Sequence, residues 1–278
     1  MTGKIKIVTD STSDIPPARA EELGVAVVPL NVRFGDTCFK DRVDLDSEAF
    51  FRMLKENHEP PATSLPSPGD FLEVYSRYAS GYDTIISIHI SSKLSGTFQS
   101  AGNAASALEN ADLVTIDSGQ VASALRLIVT RAARAAAGGT GREELLGMIR
   151  DDCGKADIFF VVDTLDYLER GGRIGKAGHM LGSMLNIKPI LTVKDGAIET
   201  AAKVRTKKKA FGKVMELIAG RPGPPRIAAV GHACCPLEAE QVAGMITGVY
   251  PELEVIISEI GPAIGAHSGP GCIEISVI

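Results

Sequence analysis

Three short apolar runs in the first half of the chain end in polar residues and give way to helix-like segments. They are residues 4–10 (KIKIVTD), 83–90 (DTIISIHI) and 113–117 (LVTID). Apolar runs of strand length alternating with helical patterns imply a parallel sheet covered by helices. The helix signals fit that scheme. Asp46 or Ser47 caps a helix reaching about Lys55. Ser67, Pro68 and Asp70 stand where an N-cap, a first-turn proline and a capping-box acid belong. An alanine-rich helix runs to Ala137 and stops at Gly138-Gly139. The apolar run 25–34 reads as one strand, with a turn at Gly35-Asp36 and a return strand over 37–40.

After a helix at 142–150 the pattern changes. Residues 157–162 read as a strand, and short helices follow at 166–171 and 176–185. Residues 188–205 read as a hairpin turning at Asp195-Gly196, followed by a basic helix over 206–219. A strand at 226–231, a helix at 237–247, a strand at 254–260, a glycine-rich loop at 261–271 and a last strand complete the chain. Hairpins mixed with helices predict an α+β unit. The expected fold is therefore α/β: an N-terminal, mostly parallel α/β sandwich domain (1–154) and a C-terminal α+β domain (155–278), with a ligand between them.

The formal net charge of -5 excludes a general nucleic-acid binder, which needs a basic face. With aromatics at 5% and no tryptophan, a base-stacking platform is excluded as well. Five cysteines without CxxC spacing read as reduced, mostly buried thiols. No apolar leader follows Met1 and no run is long enough to span a bilayer, so a cytoplasmic protein is expected.

Two hydroxyl-rich loops open probable helices: Thr63-Ser64-Leu65-Pro66-Ser67-Pro68 and Ser91-Ser92-Lys93-Leu94-Ser95-Gly96-Thr97. Helix starts present free N–H groups and a partly positive end, so hydroxyls placed there can share an anionic oxygen. Neither loop carries a general base or a Walker lysine. They suit holding an acid group better than breaking a bond. Asp10-Ser11 and Asp117-Ser118 lie at other strand ends, where ligands gather in open α/β sheets; ordinary capping explains any one of them better, but three polar strand ends and the Thr63 loop together tilt the balance toward a site. Ser95 lacks the G-x-S-x-G elbow, since Lys93 and Thr97 occupy the outer glycine positions, and only His89 is near in sequence. A serine- or histidine-dependent hydrolase or phosphotransferase acting on a small acidic substrate is the alternative. His267 sits among glycines and prolines, in a loop whose backbone can approach a ligand closely. Arg170, Arg173 and Lys176 share a glycine-rich turn, and Arg205 precedes three lysines; both groups could meet a phosphate or an acidic partner, or simply face water. The histidines and cysteines show no metal-ligand spacing, so no metal and no cofactor is expected.

Taken together, IVTDSTSDIP, TSLPSPGDF, SSKLSGTFQSA, LERGGRIGKA, LNIKPIL and IGPAIGAHSGPG resemble the DegV family of bacterial fatty-acid-binding proteins, in order and along nearly the whole chain. The resemblance implies a long-chain fatty acid such as palmitate buried between two domains. Its carboxylate would be held by Thr63, Ser95, the Gly96 amide and His267. It also implies a carrier without catalysis of its own. A separate ATP-binding fatty acid kinase subunit would phosphorylate the acid, and the acyl phosphate would pass to lipid-synthesis enzymes. Arg170, Arg173, Lys176 and Arg205 are then candidates for phosphate or kinase contact, and transient contact with a membrane surface is left open. Leu181, Met184, Leu185 and Ile187 could line the acyl tunnel or belong to ordinary core. Family members commonly carry Gln where Leu65 stands and Thr where Ser268 stands.

Overall fold

The computed structural model describes residues 3–57, 59–109, 111–180 and 187–278. In chain order the first half contains β1 (Ile5–Asp10), α1 (Pro17–Glu22), β2 (Ala26–Val28), β3 (Asn31–Phe34), β4 (Thr37–Lys40), α2 (Ser47–Glu56), β5 (Ala62–Ser64) and α3 (Pro68–Ala79). It continues with β6 (Thr84–His89), α4 (Thr97–Ala107), β7 (Leu113–Asp117), α5 (Ala122–Ala137) and α6 (Arg142–Lys155). The second half contains β8 (Asp157–Val161), α7 (Asp166–Arg170), a 3-10 segment (Gly175–Met180), β9 (Lys188–Lys194) and β10 (Ala197–Val204). It ends with α8 (Lys207–Ala219), β11 (Ala228–His232), α9 (Pro236–Val249), β12 (Val255–Glu259), α10 (Pro262–Ser268) and β13 (Ile273–Val277).

The first sheet is wholly parallel, in the order β2-β1-β6-β7. The second is mixed, in the order β10-β9-β8-β13-β11-β12, with β11 and β12 its parallel pair. The expected α/β architecture, a parallel first part followed by a mixed second part, is the one observed. A third, three-stranded antiparallel sheet, β4-β3-β5, carries Thr63 opposite Val32.

Local chemistry accounts for the boundaries. Asp46 accepts the Ala49 N–H at 2.7 Å, capping α2. Ser67 and Asp70 form the full capping box of α3, with Ser67 N–H donating to Asp70 Oδ2 at 2.8 Å. At the β9–β10 turn, Asp195 (φ 50°) and Gly196 (φ 79°) both adopt the left-handed region required by a two-residue hairpin. The run expected as one strand over 25–34 is instead split between two sheets. Pro29, with no N–H to give a ladder, stands at the break. The thiols also differ from expectation: Cys272 alone is buried, while Cys38 and Cys234 are exposed.

Helix α5 joins the layers. Residues 122–130 are buried without exception, and the helix contacts β1 on one side and β11 and β13 on the other. Only its last turns emerge, where Arg134 and Ala137 are exposed. One continuous core therefore runs from Ile7 and Ile86 in the first sheet through Leu125 and Ile128 to Phe160 and Leu191 in the second.

Candidate functional site

A narrow, mostly apolar cavity lies where the two sheets and α10 meet. Most of its wall is apolar: Leu30, Ile90 and Val121 from the first half face Phe160, Leu191 and Ile264 from the second. The polar groups that reach it are Thr12, Thr63, Ser95, Arg173, His267 and Ser268. Residues more than two hundred positions apart thus share one chamber.

Strand β5 aims Thr63 inward, and its hydroxyl shares a 2.8 Å hydrogen bond with His267 Nε2. His267 lies in helix α10, where a flexible loop was expected. Pro262 takes the first helical position, and Gly265 allows the helix to press against Phe50 and Phe51; a Cβ there would fall 2.8 and 2.9 Å from their rings. Gly171 backs the imidazole so closely that a Cβ would lie 2.1 Å from Nδ1. Burial, and secondarily the positive charge of Arg173, push His267 down to about 4, so at neutral pH the ring is uncharged.

The loop before α4 supplies Ser95. Leu94 and Ser95 N–H groups both donate to the Ser91 carbonyl, at 2.9 and 3.1 Å, which folds the loop back over the strand end. Ser95 Oγ accepts the Thr97 N–H at 3.3 Å and shares a 2.8 Å bond with the Thr97 hydroxyl. Two hydroxyls joined by one hydrogen bond have a proton to spare. With Thr97 buried, that proton is available to the cavity through Ser95. Arg173 closes the same end: Nε donates to the Leu94 carbonyl at 3.1 Å and Nη1 to the Gly171 carbonyl at 2.7 Å. This end can donate several hydrogen bonds to one small polar head, and a guanidinium stands beside it.

Thr63, Ser95, His267 and Arg173 are brought together. Gly96 is exposed and outside the wall, with Leu65 packed over it; a Cβ on Gly96 would lie 3.2 Å from Leu65 Cδ2. Arg170 and Arg205 are exposed, and Lys176 is ion-paired with Glu199. Leu181, Met184 and Leu185 lie outside the described residues. Ile187 is half-buried against the main core and does not line the cavity. The sequence reading passed over Thr12 and the scattered apolar wall. The strand end after β1 was the only signal available for Thr12.

The other strand-end residues turn inward to hold the chain. Ser11 Oγ accepts the Leu30 N–H at 3.0 Å, Ser118 donates to the His89 carbonyl at 2.6 Å, and Asp117 accepts the Gly119 N–H at 2.9 Å. Asp10 sits in a buried network. Its Oδ2 accepts from His89 Nδ1 at 2.9 Å and from Ile90 N–H at 3.1 Å, and its Oδ1 accepts from the Thr12 N–H at 3.0 Å and from the Thr12 hydroxyl. Beyond it, His89 Nε2 lies 2.7 Å from Ser87 Oγ, which also accepts from the Tyr75 hydroxyl at 2.9 Å. Asp10, His89 and Ser87 reproduce the order of a hydrolytic triad. Ser87 is nevertheless wholly buried, does not line the chamber and is already bonded on both sides, so it cannot attack a substrate.

The depressed basicity of His267 has a thermodynamic consequence. The unfolded chain takes up the proton below about 6.5, whereas the folded chain resists until about 4. Stability supplied by the neutral ring is therefore intact above 6.5 and lost as pH falls toward 4. Urea unfolding of wild type and His267→Gln should show their stability difference shrinking by roughly 3 kcal/mol between pH 7 and pH 4. A difference independent of pH means the ring is not desolvated.

The fold and the cavity define an α/β protein of two principal sheets that encloses an apolar chamber with one hydrogen-bonding end. A family model described as "Uncharacterised protein, DegV family" matches residues 4–278. The chain belongs to the DegV family. It is 41% identical over 276 residues to a DegV domain-containing protein of Halalkalibacterium halodurans, covering 98% of each, and 35% identical over 274 residues to Protein DegV of Bacillus subtilis, again 98% of each. Among solved structures, the Bacillus subtilis DegV described as a fatty acid binding protein superposes with a TM-score of 0.91 at 34% identity over 100% of both chains. A stearic acid-binding protein from Eubacterium ventriosum superposes with a TM-score of 0.90 at 29% identity, over 99% of this chain and 98% of that one.

Proposed function

We propose that this chain binds a long-chain fatty acid, with the tail in the apolar chamber and the carboxylate at Thr63, Ser95 and His267. The observation that carries the reading is the chamber itself: apolar along its wall and rich in hydrogen-bond donors at one end. The relatives described as binding fatty acids support it. So do the energetics. Burying about fifteen methylenes gains roughly 12 kcal/mol at ~0.8 kcal/mol each, enough to offset much of the ~4–15 kcal/mol cost of association. The bound acid sits between lobes formed by residues 1–154 and 155–278.

In the fuller reading the protein is a carrier that performs no chemistry itself. A separate ATP-binding kinase subunit phosphorylates the presented carboxylate, and the acyl phosphate moves on to lipid synthesis. Arg173 at the chamber and the exposed Arg170 and Arg205 are the groups offered to phosphate or kinase; Lys176, held by Glu199, is less free for that role.

Mass spectrometry of an organic extract of the purified protein tests the binding. One long-chain acid per chain is expected, and an empty protein that hydrolyses esters rejects the reading. Thr63→Ala and Ser95→Ala should each keep the fold and weaken acid binding by ~1–3 kcal/mol, the worth of a hydrogen bond to a charged group. Titration with a fluorescent fatty acid measures this, and unchanged affinity in both variants removes those hydroxyls from the site.

A further inference from the structure

The polar run Asp10-Ser11-Thr12-Ser13-Asp14 follows β1, and the acid-binding reading leaves most of it without a task. Its last member reaches farthest. Asp14 Oδ1 accepts the N–H of Gly261, the residue just before α10, at 2.8 Å. The same oxygen accepts from Arg42 Nη2 at 3.2 Å, and that nitrogen also donates to the Glu259 carbonyl at 2.8 Å. The first half thus grips the chain at 259 and at 261, on either side of Ile260, where the helix carrying His267 begins.

The grip is tight. A Cβ on Gly261 would lie 2.6 Å from both Asp14 Oδ1 and Arg42 Nε. The Asp14 side chain is fully buried and that of Arg42 nearly so. Both residues hold left-handed backbone conformations, φ 54° and φ 60°, which persist in ordinary residues only where the surroundings fix them. From Gly261 the helix is short and stiff. Gly265 N–H donates to the Gly261 carbonyl at 2.7 Å, and Gly269 N–H to the Gly265 carbonyl at 2.9 Å. His267 lies six residues on, about 9 Å along the axis at 1.5 Å per residue. A shift at the start of such a rod is carried to the imidazole.

We propose that Asp14 and Arg42 are positioning residues for the head-group end of the chamber: they seat the start of α10 and thereby hold the His267 ring against Thr63 and Gly171. The effect on acyl affinity rests on the function proposed above. The seating of the ring belongs to the ligand-free protein and is testable there.

Histidine-ring NMR titration of ligand-free protein makes that test, on wild type, Arg42→Ala, Asp14→Asn and a control, Arg131→Ala. The control breaks the ion pair with Asp152 at 2.7 Å, far from α10 in the chain. The groups facing His267, namely Thr63, Arg173 and Gly171, are unchanged in all four proteins. Wild-type His267 should remain neutral to about pH 4. In both seat variants it should titrate nearer 6.5, with about a tenfold loss of stearate affinity. Arg131→Ala should lower the melting temperature and change neither property. Wild-type titration in folded seat variants overturns the proposal, as does an equal shift in the control. If Asp14→Asn does not fold, Arg42→Ala decides alone. A shifted ring with unaltered stearate affinity upholds the seat and counts against the acid-binding reading.

Discussion

Asp10→Ala is expected to cost about 4 kcal/mol or more of folding stability. The carboxylate accepts four hydrogen bonds inside the protein, from the Thr12 N–H and hydroxyl, the Ile90 N–H and His89. Asp10 and His89 are fully buried, so water cannot replace the lost partner. Each buried donor left unsatisfied costs ~1–3 kcal/mol, and four of them threaten a fold whose whole stability is about 5–15 kcal/mol. Asp10→Asn should recover only part of the loss, because its amide nitrogen cannot accept. Urea unfolding at neutral pH measures both variants. A cost below about 1 kcal/mol for the alanine variant would mean that the network contributes little. Thr12 and Ile90 line the chamber, so the same substitution should loosen its wall.

Gly171→Ala should instead strike the site and spare the fold. The backbone at Gly171 (φ -74°, ψ -8°) suits any residue, so alanine brings no dihedral strain, and its contact with the fold itself is limited to a tight 3.1 Å approach to the Tyr167 carbonyl. Its methyl, however, would fall 2.1 Å from His267 Nδ1 and 2.7 Å from Cε1. The ring must swing away and give up its bond to Thr63. We expect about a hundredfold loss of fatty-acid affinity, near 2.7 kcal/mol, with little change in melting temperature. Gly102→Ala is the control: a Cβ there meets nothing within 4 Å, and its place in α4 favours alanine by up to ~1 kcal/mol. Equal affinity in the two variants would show that the ring's position does not matter for binding.

The sequence was legible where local chemistry decides the outcome. The caps at Asp46 and Ser67 and the Asp195-Gly196 turn follow from neighbouring residues, and the alternation of apolar runs with helical segments announced the parallel first sheet. Elements fixed by distant partners were hidden. Strand β5 is three residues within a proline-rich stretch, and it exists through pairing with β3. Helix α10 looked like a loop because its glycines signal flexibility. Their use is close packing, visible only once Phe50 and Phe51 are in place.

The site divides along the same line. Thr63, Ser95 and His267 could be singled out because hydroxyls at helix starts and a histidine among glycines are local signals. The chamber wall could not. Leu30, Ile90, Phe160 and Leu191 each belong to a different stretch and read as core, and no periodicity distinguishes a wall facing a void from one facing another side chain. Asp10 and Asp117 looked like ligand-facing strand ends and proved to be supports.

A crystal structure with stearic acid is the most direct measurement. We predict the alkyl chain along Leu30, Ile90, Phe160 and Leu191, with a carboxylate oxygen within hydrogen-bond distance of the Thr63 and Ser95 hydroxyls. A chamber left empty, or an acid bound with its carboxylate away from both hydroxyls, would contradict the account.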